Sequence, residues 1–511
     1  MSSRPVHAPT LSAEDAAHDI RDGMTIAIMG SGGGLMEPDA ILAAIEARFL
    51  KTGHPRDLTI VHAQGIGDRD RRGLNRLAHR GLVRRVIGGH WTWSPRMQAL
   101  AVDNEIEAYA LPGATISLLL RETGARRPGF FSQVGWGTFV DPRHGGGALN
   151  ECARGKSLVD LIEIGGEEYL HYRPIPIDLA IVRGTLADQR GNITLDNDPA
   201  DLDIHALALA ARNSGGKIFV QCNTRSNDPV LPARRVRLPA HLVDAVILAP
   251  KAGQSHVHGY DPELSGQASV QFGPAETSPG TRPERSIIGR RAFRELAQGD
   301  VTCFGFGMAD AVAEEISLQG QESAYHTIID HGVVGGSLVS GDQFGLARGA
   351  RAMLSSTDMG DFIHGGGVDV AFLGFGEIDA NGNVNVSQLG GRSVGPGAFI
   401  DIAQFCRKLV LCGTFETGGL KCALDDGQLK ILQPGNVCKF VNAVAQVTYS
   451  GAWNARAHQQ VIVVTERAVF RIKGGRLVLQ EIAAGVDLER DILSRMQFAP
   501  QISTDLQEMS R

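Results

Sequence analysis

The chain contains itself twice, and this repetition constrains its fold more than any other feature. IDLAIVRGTLADQRGNITLD (177–196) lies over VDVAFLGFGEIDANGNVNVS (368–387) without a gap. Asp178 meets Asp369, Ala180 meets Ala371, Asp188 meets Asp379, Gly191 meets Gly382 and Asn192 meets Asn383, while apolar positions fall on apolar positions. A looser pair, IRDGMTIAIMGSGGG (20–34) and LAQGDVTCFGFGMAD (296–310), opens each half with a helix end, a glycine turn, a β-rich run and further glycines. Such alternation of helix and strand builds a mostly parallel sheet. The expected fold class is α/β, as two tandem, internally repeated domains. PDAILAAIEARFLKTG reads as the helix after the first glycine loop, with Pro38 near its first turn and Gly53 at its end. FGPAETSPGTRPERS (272–286) is rich in proline and glycine and has no apolar periodicity, which marks a linker. The expected divisions are residues 1–272, a linker at 273–286, and residues 287–511.

Composition then removes whole classes of function. The 511 residues, 43% of them hydrophobic, suffice for two large cores. The net charge is -6 and the pI about 6.2, with both signs scattered, so no basic field for nucleic acid is expected. Seven cysteines, odd in number and never spaced as CxxC, read as reduced thiols in a cytoplasmic protein. The N-terminal stretch has no signal-peptide core, and no run reaches the roughly 18 apolar residues of a membrane span. The 63 glycines cluster in GSGGG (30–34), HGGG (144–147), HGGGVD (364–369) and GGRSVGPG (390–397). Glycine clusters after strands point to backbone approaching a ligand.

Three stretches carry candidate chemistry. In IIDHGVVGG (328–336) a β-branched run ends at Asp330, and Gly332, Gly335 and Gly336 clear the backbone around it. One reading is an Asp/Gly turn that closes a strand; the other is a nucleophilic carboxylate. GRSVG (391–395) fits the GxSxG nucleophile elbow with Ser393, but Pro396 and the surrounding glycines extend the loop where an elbow needs a tight strand-turn-helix. HVH (256–258) offers two metal-ligand histidines without a third ligand or a spacing signature.

A longer set of strings carries a resemblance: TGHPRDLTIVHAQGIGD (52–68), IGGHW (87–91), NEIEAYALP (104–112), VGWGTFVDPR (134–143), GGGVDVAFLGFGEIDANGNVNVS (365–387), GTFETGGLK (413–421) and VTERAVFRI (464–472). Along nearly its whole length the chain resembles the family I coenzyme A transferases, in the fused single-chain acyl-CoA:acetate/3-oxoacid form whose two subunit-like halves are joined. The resemblance implies CoA transfer between a short-chain acyl-CoA and a small carboxylic acid by a ping-pong route. In that family a glutamate attacks the thioester, forming an acyl anhydride and then an enzyme-CoA thioester. Asp330, in DHGVVG, stands in its place. The resemblance further implies an oxyanion hole from the GPGAF loop, at Gly397 and Ala398. It places the acid pocket in the N-terminal half near Gly32 and Gly33. The nucleophile and CoA contacts fall in the C-terminal half, with Gly332, Gly335, Gly336 and Lys421 as candidates. It implies coenzyme A as substrate and covalent intermediate, no metal or other tightly bound cofactor, no nucleic-acid or membrane partner, and a homo-oligomer.

The chain departs from the family pattern at Asp330, one methylene short of glutamate, at Ile363 and His364, where Tyr-Asp is common, and at Glu416, where a small residue is usual. His364 and Glu416 join the candidate substrate contacts on that ground. A shortened nucleophile gives two alternatives on the same scaffold: an acyl-CoA hydrolase, including hydrolytic C–C cleavage of a CoA ester, and an idle CoA-binding protein.

Overall fold

The computed structural model describes residues 7–257, 259–268, 282–339, 341–343 and 345–509. Its core is two ten-stranded sheets. The first has eight strands in the order Thr10–Leu11, Ala245–Leu248, Lys217–Arg225, Leu179–Ala187, Thr25–Ile28, Leu58–His62, Val83–Gly88 and Glu107–Ala110, each parallel to the next, and is completed by Ile193–Thr194, antiparallel to Leu179–Ala187, and Val236–Leu238, antiparallel to Ile193–Thr194. The second has a parallel centre, His326–Ile328, Val301–Phe304, Val370–Gly374, Lys408–Cys412 and Gln460–Val464, extended on both sides by antiparallel strands. Central strands such as Leu179–Ala187 and Val370–Gly374 are buried on both faces because helices cover both.

The aspartate, glycine and asparagine coincidences of the repeat each have a structural duty. Leu179–Ala187 lies between Thr25–Ile28 and Lys217–Arg225; Val370–Gly374 lies between Val301–Phe304 and Lys408–Cys412. Asp178 accepts the Thr25 N–H at 2.8 Å, and Asp369 accepts the Val301 N–H at 2.9 Å, so the repeated aspartate ties each central strand to its neighbour. Asp188 caps a tight turn by accepting the backbone N–H groups of Arg190, Gly191 and Asn192 and the Asn192 amide. Asp379 repeats this with Asn381 and Asn383. Gly191 and Gly382 take the positive φ, 100° and 70°, that such a turn requires.

The expected first helix is Asp39–Thr52, stopped by Gly53 at φ 74°. The expected linker ends sooner than its composition implied. Residues 269–281 lie outside the described residues, and Pro283 already opens the helix Pro283–Phe293, since a first-turn proline has no N–H to lose.

The halves meet along a seam of backbone and one carboxylate. Trp91 N–H donates to the Val394 carbonyl (2.7 Å), Gly397 N–H to the Gly89 carbonyl (2.8 Å) and Gly113 N–H to the Gly397 carbonyl (2.7 Å). Behind them the buried helix Gly113–Gly124 packs against Ser356–His364 and Phe399–Phe405. Asp401, fully buried, accepts from Ala114 N–H (3.2 Å), Thr115 N–H (3.1 Å) and Thr115 Oγ1 (2.8 Å) across the seam. A carboxylate over the first turn of a helix is favoured by the orphan N–H groups and the helix dipole.

Asp401→Ala is therefore expected to destabilise the protein by about 3 kcal/mol, because it strands several buried donors. Asp401→Asn, which keeps an acceptor oxygen, is expected to cost less. Urea unfolding midpoints measure both, and an unchanged midpoint for the alanine variant would remove Asp401 from the seam's energetics.

Candidate active site

Asp330 sits at the tip of a hairpin. Beyond the strand His326–Ile328, Ile329 N–H donates to the Val333 carbonyl (2.8 Å) and Gly332 N–H to the Ile329 carbonyl (2.9 Å); the chain then returns antiparallel, with Val334 opposite Ile328. The turn lies at the carboxyl end of a parallel strand, where open α/β sheets bind ligands. Gln64, just past the end of Leu58–His62 in the other half, donates its amide to Asp330 Oδ2 at 3.1 Å. One functional group from each half thus meets in the cleft.

Asp330 is partly accessible but closely enclosed. Desolvation is the leading influence and pushes its carboxyl above the usual carboxylate range; His331 and the Gln64 amide oppose this, and the Asp401 charge adds to it. An isolated, desolvated carboxylate with a single side-chain donor is a reactive one, because little of its negative charge is dispersed.

The glycines around Asp330 have a packing duty in the hairpin. A methyl added at Gly332 would meet the Leu354 carbonyl at 2.1 Å, one at Gly335 the Arg351 side chain at 3.0 Å, and one at Gly336 the Arg348 carbonyl at 2.6 Å. Their φ angles, 122°, 73° and 86°, let the strand Ala352–Met353 close over the turn.

The GSGGG loop is likewise packed internally. A methyl at Gly32 would fall 2.3 Å from Trp93 Nε1, Gly33 at φ 71° accepts the His256 N–H (3.3 Å), and a methyl at Gly34 would strike the His256 ring at 2.1 Å. Gly32 and Gly33 thus make room for Trp93 and His256. His256 Nε2 lies 3.0 Å from the buried Glu37, whose other oxygen takes the Gly67 N–H at 2.6 Å. Burial drives the Glu37 carboxyl upward, with His256 working against it. This pair pins the loop that carries Gln64. His258 lies outside the described residues, so the HVH stretch is represented by His256 alone, and its Nε2 is taken.

The expected oxyanion hole is half occupied. Gly397 N–H is spent on Gly89 across the seam, leaving the Ala398 N–H, at the start of the helix Phe399–Phe405, without a backbone acceptor among the described residues. His364 is an interface residue: Nε2 lies 2.9 Å from Asp401, and the ring packs between Phe130 and Phe405. Glu416 lies on the strand Glu416–Thr417. It is 2% exposed and paired with Arg495 at 2.6 Å and Arg467 at 3.4 Å inside the C-terminal half. Lys421 is exposed at the start of the hairpin strand Lys421–Asp425. Ser393 sits in the short hairpin of Gln388–Leu389 with Arg392–Ser393, not on a strand-turn-helix elbow. Gln64, Asp401 and Glu37 carry the site yet were not singled out from sequence; for Gln64 the available signal was its place in HAQGIGD, two residues past a strand of β-branched residues.

Comparison with known proteins agrees with this architecture. The family model described as coenzyme A transferase matches residues 10–247. The acetate CoA-transferase YdiF of Escherichia coli O157:H7 is 38% identical over 504 residues, covering 98% of this chain and 94% of that one. The caffeate CoA-transferase of Acetobacterium woodii is 38% identical over 512 residues, covering 98% and 96%. The crystal structure of YdiF superposes with a TM-score of 0.93 at 37% identity, covering 99% of this chain and 97% of that chain. A thioester complex of the E. coli enzyme with CoA matches equally, with a TM-score of 0.93 at 36% identity. The chain belongs to the coenzyme A transferase family, in its fused single-chain form. It is a transferase that moves CoA between an acyl-CoA and a carboxylate, and the hydrolytic and idle alternatives are not favoured.

Because the folded state holds Asp330 above its ordinary range, its ionised form works against folding at neutral pH, and the opposition vanishes below the unfolded carboxyl range near about pH 3.9. Asp330→Asn is expected to melt at a higher temperature than wild type at pH 7, with the difference closing as the pH falls through the raised value. A variant that melts lower at pH 7 would show that Asp330 is held by favourable contacts instead.

Proposed function

We propose that Asp330 is the nucleophile of the transfer. Its carboxylate attacks the acyl-CoA thioester and CoA thiolate leaves. The thiolate then attacks Asp330 Cγ in the resulting anhydride and expels the first carboxylate. The second acid reverses both steps. The observation that carries this reading is the contact between Asp330 and Gln64: an enclosed carboxylate at the end of a central strand of one half, met by one amide from the other. The thioester complex known for the E. coli relative supports a covalent route, and acetate is the acid its name supplies; short-chain acids are the proposed class. By this reading the two tandem domains divide the substrates, the N-terminal half shaping the acid pocket and the C-terminal half holding CoA. The seven free thiols fit a reducing cytoplasm. The helices described here include none long and apolar enough to cross a membrane. A homo-oligomer remains the expectation from the family.

In this reading the Gln64 amide does two things. It favours the ionised nucleophile, and it donates to the oxygen that becomes negative when CoA or the acid attacks Asp330 Cγ. The shorter side chain is matched by this partner: at 3.1 Å the amide already closes on the carboxylate.

Incubation with acetyl-CoA is expected to leave a CoA adduct on the peptide containing Asp330, detected by mass spectrometry and released by hydroxylamine; Asp330→Ala is expected to carry none. A label confined to another residue would sink the assignment. The rate of adduct formation is expected to fall as the pH drops through the raised Asp330 value, and Gln64→Ala, which removes an influence favouring ionisation, is expected to move that limb to higher pH. Asp330→Glu pushes a methylene against Gln64, and a misplacement of about 1 Å costs on the order of 100-fold in rate. Transfer to acetate is expected to fall accordingly, whereas a gain would show that the pocket still fits the longer acid.

A further inference from the structure

Two histidines stand beside Gln64, and the mechanism above uses neither. His62 is fully buried; its Nδ1 and the Gln64 carbonyl oxygen are 2.6 Å apart, which holds Gln64 in place, and burial pushes its imidazole down to about 4. His90 is different. Its ring occupies a slot between two glycines: a methyl at Gly65 would lie 3.2 Å from Nδ1, and one at Gly397 would lie 3.5 Å from Cδ2. Nδ1 is buried with no partner. Neither ring nitrogen has a hydrogen-bond partner among the described residues, although the residue is not fully buried. Burial is the main cause, with the nearby His62 and Arg69 charges, that pushes the His90 imidazole down to about 4. His90 is thus neutral under physiological conditions and carries one N–H. With Nδ1 closed against Gly65 and offered no acceptor, the tautomer protonated at Nε2 is the one that leaves its N–H usable.

The place of that N–H matters because the expected oxyanion hole lacks a donor. Gly397 N–H is committed to Gly89, which leaves Ala398 alone on the loop. The His90 ring lies against the same Gly397. A methyl at Gly113 would be 3.4 Å from both the Gln64 amide nitrogen and the Gly397 carbonyl carbon, so His90, Gly397 and Gln64 converge on one corner of the cleft. A neutral imidazole there donates without the cost of burying a cation, the device by which a histidine of lowered basicity polarises a carbonyl.

Resting on Asp330 as nucleophile, we propose that His90 is a further catalytic residue, donating its Nε2–H to the oxygen of the substrate thioester. As the Asp330 oxygen bonds to the thioester carbon, the carbonyl electron pair moves onto the thioester oxygen and His90 stabilises the charge there. When the pair returns, the C–S bond breaks, CoA thiolate leaves and the anhydride is formed. No proton is transferred. The two amide-like donors then divide the work: His90 serves the substrate's oxygen, and Gln64 serves the oxygen of Asp330 itself.

The test is the single-turnover rate of the Asp330 adduct with acetyl-CoA. Loss of one such donor is typically worth about 100-fold or more. His90→Ala is expected to slow adduct formation by about that factor, with little change in KM for acetyl-CoA. His90→Gln places an amide nitrogen near the position of Nε2 and is expected to recover a large part of the rate. His90→Asn places it near Nδ1 and is expected to stay as slow as alanine. Melting temperatures monitor packing, and if the alanine variant fails to fold, the Gln and Asn pair alone decides. A wild-type rate in His90→Ala, or a His90→Gln no faster than His90→Asn, overturns the proposal while leaving Asp330 as nucleophile. A wild-type protein that forms no adduct on Asp330 overturns the nucleophile and this donor together.

Discussion

Asp401 holds the rest of the structure in register. It belongs to the C-terminal half, yet its oxygens serve the first turn of a helix in the N-terminal half, and that helix is buried along nearly its whole length. Two residues upstream of Phe399, the Gly397 backbone is bonded on both sides, to Gly89 and to Gly113. Without this seam there is no fixed distance between the sheets, and Gln64 and Asp330, which arrive from different sheets, would have no reason to meet at 3.1 Å. The burial of the carboxylate is tolerable because each oxygen is hydrogen-bonded; an unpaired one there would be costly.

The cleft that results concentrates uncompensated polarity. Among the described residues Asp330 is desolvated with one side-chain donor and His90 has no hydrogen-bond partner, and a Glu37–His256 pair fixes the loop behind Gln64. In the C-terminal half, by contrast, Glu416, Glu466, Arg467 and Arg495 form a largely buried ionic network. The contrast is physical. A paired charge is stable and inert and a poorly dispersed one more reactive, so the network and the sparsely bonded cleft suit different duties.

Much of the scaffold was legible because it depends on local rules. The repeated Asp, Gly and Asn of 177–196 and 368–387 mark two copies of one strand and one turn, and both copies perform the same hydrogen bonding. The helix ending at Gly53 follows from its glycine stop. The glycine clusters are less specific for an equally physical reason. A missing side chain shows that something comes close, but not what: at Gly332 it is the Leu354 carbonyl, at Gly32 the Trp93 indole, and at Gly34 the His256 ring. His364 and Glu416 stand out as departures from a family pattern; in the fold one is bonded to Asp401 and the other to Arg495.

By itself the sequence determined the class of fold, the duplication and the carboxylate at 330, since each is written in periodicity, in repetition or in one residue at the end of an apolar run. Only the tertiary structure decided which groups face that carboxylate. Gln64 and His90 are distant from Asp330 along the chain and carry no spacing signal toward it. Their meeting depends on how two sheets dock, and docking is set by the summed packing of a buried helix and a few cross-seam hydrogen bonds that no local pattern encodes.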